Sequence, residues 1–239
     1  MPLPTLSVPK YKLKIPSSGK MITYRPFLVK EEKILMTALE TDGSEEALLI
    51  ALLELVNTCV ETKKFKAEDL TLFDLEFIFT QLRAKSVGEI VEMNIKCQNE
   101  ECGISFPWEH DLSTVKINRE KEHTNKIQLS GELGVVMKYP GVMDAVKLEN
   151  TEKSQTASLF EMVATCIDSI YTNEEVYSHK DHTKEELETF VEQLSPEFFL
   201  KVMNFFETMP SMKNTIKCTC PKCKEETELV IRGLEDFFT

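Results

Sequence analysis

The chain has no apolar run near the roughly 20 residues a helix needs to cross a bilayer. Its start, MPLPTLSVPKYKLK, has no apolar core of the kind a secretory signal carries. No membrane role and a reducing compartment are therefore expected. Positive charge is also scarce: 28 Lys and Arg stand against 40 Asp and Glu, a formal charge of −12. That balance opposes general nucleic-acid binding, which draws on counterion release from phosphates. P-loop, dinucleotide fingerprint, nucleophile elbow and H-E-x-x-H motifs are all missing. Neither an enzyme nor a small-molecule substrate is expected. Two of the few histidines, His179 and His182, lie in the polar stretch YSHKDHTKEE and read as a solvated linker. What is present is an ordinary globular composition, 42% hydrophobic and 28% charged, long enough to bury one large core or two modest ones. It favours a soluble protein that meets other proteins.

Cysteine is where the sequence becomes specific. Of seven cysteines, five fall in two similar phrases: IKCQNEECG with Cys97 and Cys102, and IKCTCPKCK with Cys218, Cys220 and Cys223. An odd count without a signal segment speaks against a disulfide framework. Redox chemistry by the C-P-x-C pair would leave Cys97 and Cys102 unexplained. Paired knuckles are instead the ligand pattern of structural zinc, with four thiolates at the corners of a tetrahedron. Cys220 and Cys223 supply one pair and Cys97 and Cys102 the other, with Gly103 able to take the positive φ that ends such a turn. Cys218 is an alternative ligand, because Cys218 and Cys223 repeat the C-x4-C spacing of Cys97 and Cys102. Cys220 is preferred because C-P-x-C is the commoner knuckle. The pattern is that of a zinc ribbon whose halves are separated by a long insertion. Four thiolates leave no coordination position for a reactive water, so the metal would hold structure and perform no reaction. Lys96, Lys217, Lys222 and Lys224 can offset the negative charge of such a centre. A zinc-ribbon nucleic-acid-binding or transcription-related protein is the alternative function these knuckles raise.

Hydrophobic periodicity gives an α+β fold class in four stretches forming one or two compact units. Residues 1–86 read as a hairpin around PSSGK followed by helices, with Cys59 on a buried stripe. Residues 87–140 carry the first knuckle between the strands VGEIVEMNIK and GISFPWEHDL, where Trp108 would cover the site, and then a hairpin around Ser130 and Gly131. Residues 141–210 read as a helical insertion. Leu159, Met162, Val163, Cys166, Ile167 and Ile170 fall at the spacing of one helical stripe. Thr183-Lys184-Glu185-Glu186 is a capping box, and Ser195-Pro196 caps and opens the next helix. Phe198, Phe199, Phe205 and Phe206 on that helix are either core or a partner-binding face. Residues 211–239 carry the second knuckle and a tail whose Phe237 and Phe238 dock on their own domain or on another subunit.

The stretches YRPFLVKEEKILMTALE (24–40) and LFDLEFIFTQLRAKSVGEIVE (72–92), with the closing GLEDFF, resemble the baseplate hub assembly proteins of T4-like bacteriophages. The resemblance runs over nearly the whole chain. It implies a non-enzymatic factor that helps build the central hub of a contractile-tail baseplate in the host cytoplasm, with other hub or tail proteins as partners. Retention in the virion baseplate stays open. It also implies that Cys97, Cys102, Cys220 and Cys223 are the family's knuckles, with Cys218 as a departure from a plain four-cysteine pattern.

Overall fold

A computed structural model describes residues 7–41, 44–99, 101–149 and 154–232; Phe237 and Phe238 lie outside the described residues. By internal packing the chain forms two units. One takes Met1–Ala67, Phe73–Asn118 and Ser211–Thr239, the other Glu68–Leu72 and Arg119–Pro210. The architecture is α+β, helices with small antiparallel sheets.

The first unit opens on an antiparallel hairpin of β1 (Tyr11–Lys14) and β2 (Met21–Tyr24), with Tyr11 opposite Tyr24. Its turn closes through Gly19, whose φ of 69° glycine adopts without strain, donating to the Ile15 carbonyl at 2.8 Å. Ser17 in that turn donates its amide to Asp74 at 3.0 Å, and its hydroxyl donates to the same carboxylate. Asp74 belongs to α3 (Leu72–Ser86), which buries Phe73, Leu75, Ile78, Phe79 and Leu82. Those residues fall on several faces, so α3 is enclosed by its unit instead of lying amphipathic on a surface. Ahead of it, α1 (Val29–Thr41) and α2 (Glu45–Cys59) form an antiparallel pair. Ser44 caps α2 by accepting from the Ala47 amide at 3.2 Å. Cys59 is fully buried at the end of α2, as its stripe predicts.

Where β2 runs into α1, the chain is fixed by a buried ion pair. The Arg25 guanidinium donates to Glu31 Oε1 at 2.8 Å, and Glu31 Oε2 accepts the Leu28 amide at 2.8 Å. Glu31 is thus the back-reaching half of a capping box in which Leu28 stands at the N-cap place of the usual Ser or Thr, and Arg25 holds the other carboxylate oxygen. It is only 1% exposed.

After Gly88 the period changes to two. β3 (Ile90–Lys96) and β4 (Ser105–Asp111) pair antiparallel, and Val91, Met93, Ile95, Phe106, Trp108 and His110 line one face. Toward the hairpin base, Val91 packs with Ala84, Leu112, Val115 and Met212. Toward its tip, Ile95 and Phe106 pack with Cys97, Cys218 and Cys220, and Trp108 lies against that cluster.

The second unit is built on an antiparallel sheet ordered β5 (Lys126–Gln128), β6 (Gly134–Met137), β7 (Ile167–Tyr171), β8 (Val176–Ser178). Gly134 is required for close approach, since a Cβ there would stand 2.2 Å from the Tyr171 ring. Between β6 and β7 run α4 (Val142–Glu149) and α5 (Gln155–Thr165). The expected stripe from Leu159 to Ile170 is therefore divided. α5 stops at Thr165, Cys166 is its buried C-cap, and Ile167–Tyr171 pairs with β6. Leu159 is exposed, whereas Phe160 stacks on Phe199 at 5.0 Å. β-Branched Ile167 and Ile170 suit a strand as well as a helix, and pairing with β6 decides the matter.

The last helices are capped as the sequence predicts. In α6 (Lys184–Glu192), Thr183 and Glu186 form a reciprocal capping box, and Ser195 caps α7 (Pro196–Thr208) with Pro196 in the first turn. Leu187, Val191, Val202 and Phe205 join Val135, Met137, Val163 and Ile167 in the core of this unit.

Back in the first unit, Asn118 and Ser211 pair, the Asn118 amide donating to the Ser211 carbonyl at 3.0 Å. The chain thus leaves and re-enters that unit at adjacent residues. It then forms an antiparallel hairpin of β9 (Lys213–Thr219) and β10 (Glu226–Arg232).

Candidate metal centre

The tips of the β3–β4 and β9–β10 hairpins are built alike. At the first, the Cys97 amide donates to the Ile104 carbonyl at 2.8 Å and Gly103 donates to Asn99 at 2.9 Å. At the second, the Cys220 amide donates to Glu225 at 2.9 Å and Lys224 donates to Cys220 at 3.0 Å. In both, the residue after the second cysteine has positive φ: 54° at Gly103 and 63° at Lys224. Such turns point successive amides inward, toward a group that carries negative charge.

This correspondence separates Cys218 from Cys220. Cys97 follows the last paired strand residue, Lys96, and Cys220 follows the last paired residue of β9, Thr219. Cys220 therefore holds the place of Cys97. Cys218 lies two residues back within the strand, opposite Thr227, where the first hairpin has Ile95. It is 1% exposed among Ile95 and Phe106, and burial pushes its thiol up. The repeated IKC phrase is thus offset by two residues between the hairpins, because the first turn is two residues longer.

The sulfurs of Cys97, Cys102, Cys220 and Cys223 all lie within 4.8 Å of one another. Cys97 Sγ stands 3.6 Å from Cys223 Sγ, and Cys102 Sγ 3.9 Å from Cys220 Sγ. A tetrahedral thiolate centre with metal–sulfur bonds of about 2.3 Å separates its sulfurs by about 3.8 Å, so the donor set and its dimensions fit a zinc-like ion. Cys97 and Cys220 are buried, Cys102 is half-buried and Cys223 is the most exposed. Charge is unevenly placed among them. The Cys223 and Lys222 amides hold the Cys220 thiol down to about 7. At Cys97 the Asn99 amide also pulls downward, but burial and the thiols of Cys223, Cys220 and Cys102 outweigh it and push the group up to about 12. One thiolate is readily formed, and a cation in the centre would stabilise the others.

Asn99, which sequence reasoning passed over, links the two turns. Its side-chain amide donates to Glu225 Oε2 at 2.6 Å, while its carbonyl oxygen accepts the Glu101 amide at 2.9 Å. Lys96, Lys217, Lys222 and Lys224 are exposed around the site.

Other residues singled out by sequence lie elsewhere. Phe205 is buried in the core of the second unit, and Phe198, Phe199 and Phe206 pack half-buried against it; the exposed large apolar residue of α7 is Leu200. His179 opens a short helical turn before α6 and His182 follows that turn, each held through Nδ1, by the Asp168 carbonyl at 2.9 Å and by Glu186 at 3.2 Å.

The described residues define an α+β chain in which four cysteines from two hairpins converge at metal-binding distance, and no helix among them is long and apolar enough to cross a membrane. Its particular family follows from residues 8–239, which match the family described as T4 bacteriophage base plate protein; the chain belongs to that family. It is also similar to the baseplate hub assembly protein gp26 of Enterobacteria phage T4, at 25% identity over 230 residues that cover 96% of this chain and 98% of that protein. No solved structure matches the chain.

Replacing Cys218 with valine keeps an apolar group of similar size in the strand, so it should cost less than about 1.5 kcal/mol. Metal content, measured by elemental analysis, should be unchanged. Loss of the metal in that variant would make Cys218 a ligand.

Proposed function

We propose that this chain is a non-enzymatic factor in formation of the central baseplate hub of a contractile phage tail, acting by binding other hub or tail proteins in the host cytoplasm. The observation that carries this reading is the end-to-end likeness to a hub assembly protein, which leaves almost none of either chain unmatched. The physical character agrees: a formal charge of −12 and a closed sulfur centre suit a binding protein better than a reaction.

In this reading Cys97, Cys102, Cys220 and Cys223 hold one structural zinc, and Cys218 is a core residue beside it. Zinc supplies a crosslink there and no chemistry. For partner contact we assign the exposed side of α7, Leu200 with the half-buried edges of Phe198, Phe199 and Phe206, while Phe205 supports that side from the core. Phe237 and Phe238 in the tail are assigned as a second anchor.

Affinity-tagged protein recovered from infected cells should bring down baseplate or tail components, and should pass through heparin at physiological salt. Recovery without any tail component, or retention on heparin, would remove the assembly reading and favour a nucleic-acid role.

A further inference from the structure

In the second unit a cleft of about 310 Å³ opens between α4, α5 and the turn leading into α6. That volume is at the lower end of small-ligand sites, about 300–1,000 Å³. Its floor is apolar, from Ala164, Ile167 and Leu187, and its walls carry Lys138, Lys147, Lys184, Asp144, Glu161, His179 and His182. The charges are not equally committed. Lys184 is paired with the buried carboxylate of Glu161 and stands 3.7 Å from Glu188. Asp144 accepts the Gly141 amide at 3.1 Å. The ammonium groups of Lys138 and Lys147 have no hydrogen-bond or ion-pair partner among the described residues.

Three ammonium groups thus face two carboxylates in a concave, partly apolar site, within a chain whose net charge is −12. Like charges gathered over a low-dielectric floor repel one another, and a bound counter-anion relieves that cost. The two imidazoles of the cleft have fixed tautomers. The Asp168 carbonyl can only accept, so His179 Nδ1 carries its proton. Glu186 is held ionised by the Thr183 amide and by His182, so His182 Nδ1 carries its proton too. Nε2 of each neutral ring is then an acceptor, which can meet a hydroxyl of the ligand, such as the P–OH of hydrogen phosphate, and not a bare oxyanion oxygen. A metal ion does not suit the cleft. Three ammonium groups oppose it, and the one group of three or more convergent metal-ligand atoms among the described residues is the cysteine centre.

We propose that this cleft binds an oxyanion, a phosphate or carboxylate group, with Lys138 and Lys147 as its counter-charges. The site is separate from the cysteine centre and does not rest on the hub-assembly reading.

The test is calorimetric titration of the full chain with inorganic phosphate and, separately, with N-acetylglutamate, both at constant ionic strength. The variant is Lys138→Gln/Lys147→Gln, and the control is Lys12→Gln/Lys63→Gln, which removes the same charge from exposed positions. The natural chain and the control should show saturable binding of at least one anion. Affinity in the double variant should fall by about tenfold or more, because two charge-assisted contacts are lost. Binding of phosphate alone would assign a phosphate-bearing ligand, and binding of acetylglutamate would assign a carboxylate. Equal binding by the double variant, or no saturable binding of either anion by the natural chain, would overturn the proposal. Circular dichroism of each variant checks that the fold is retained.

Discussion

Replacing Cys220 with serine is expected to strip the metal from the protein and to lower its melting temperature by about 8–20 °C. The two sulfur contacts across the centre join residues 126 and 118 positions apart. In the chain-entropy account, a crosslink closing a loop of that size contributes roughly 4–5 kcal/mol by restricting the unfolded chain. In a protein of this length each kcal/mol moves the melting temperature by about 2–4 °C. Serine keeps the volume of cysteine but supplies no thiolate, and it removes the sulfur that most readily ionises. Cys97→Ser should act in the same direction, since it also takes a buried member of the set. Elemental analysis together with a thermal melt reads both parts of the prediction. The valine variant at Cys218 is the control, because it removes a neighbouring thiol and leaves the four convergent ones. An unchanged melt after complete removal of metal would show that the hairpins hold together without a staple.

The second large effect is expected at Glu31. Substitution by alanine should cost about 3–5 kcal/mol, the range for removing one partner of a buried ion pair. The loss has two parts. The Arg25 guanidinium, only 15% exposed, is left without its carboxylate, and the Leu28 amide at the start of α1 loses its acceptor. Glutamine keeps an acceptor for that amide and should cost less. The pair also predicts a pH dependence. Burial alone would raise the Glu31 carboxyl, but Arg25 and the Leu28 amide together hold it below its ordinary value of 4.5. A carboxyl whose pKa is lower folded than unfolded contributes its full stability above the unfolded value. That contribution is lost as pH falls through the folded one. As pH falls below about 4.5, the natural protein should therefore lose stability more steeply than Glu31→Gln. Parallel curves for the two proteins would show that Glu31 is not held ionised by Arg25.

These two features were unequally legible in the sequence. The convergence of Cys97, Cys102, Cys220 and Cys223 could be read because paired cysteines at short spacing are a local signal, and a C-P-x-C turn announces itself. What spacing could not settle was the choice between Cys218 and Cys220. That depends on strand register, and the repeated IKC phrase points to the wrong alignment, with Cys218 in the place of Cys97. Pairing in β9–β10 puts Cys218 in the place of Ile95 instead. The Arg25–Glu31 pair lay in plain view in YRPFLVKEE, yet it passed unnoticed because half of the capping-box signal, the Ser or Thr, is missing.

Helices with strong caps were read correctly, as at Thr183 and Ser195, because a cap is a local hydrogen bond. The division of residues 159–171 into α5 and β7 was not, since Ile167 and Ile170 satisfy both periods and only pairing with β6 selects the strand. The phenylalanines of α7 could not be sorted into core and surface for a similar reason. Which of them faces inward is fixed by the sheet and helices they meet, and Phe205 is the one enclosed. The cationic cleft was beyond sequence reading altogether, because Lys138 follows β6 while Lys147 and Lys184 come from α4 and α6.

The most direct test of the account is deletion of the coding sequence from its phage, with the protein resupplied from a plasmid, followed by electron microscopy of the tail structures. The account predicts that baseplates with a complete central hub disappear on deletion and return with the natural protein. They should return poorly with Cys220→Ser at the temperature where that variant melts. A normal yield of hub-containing baseplates without the protein would contradict it.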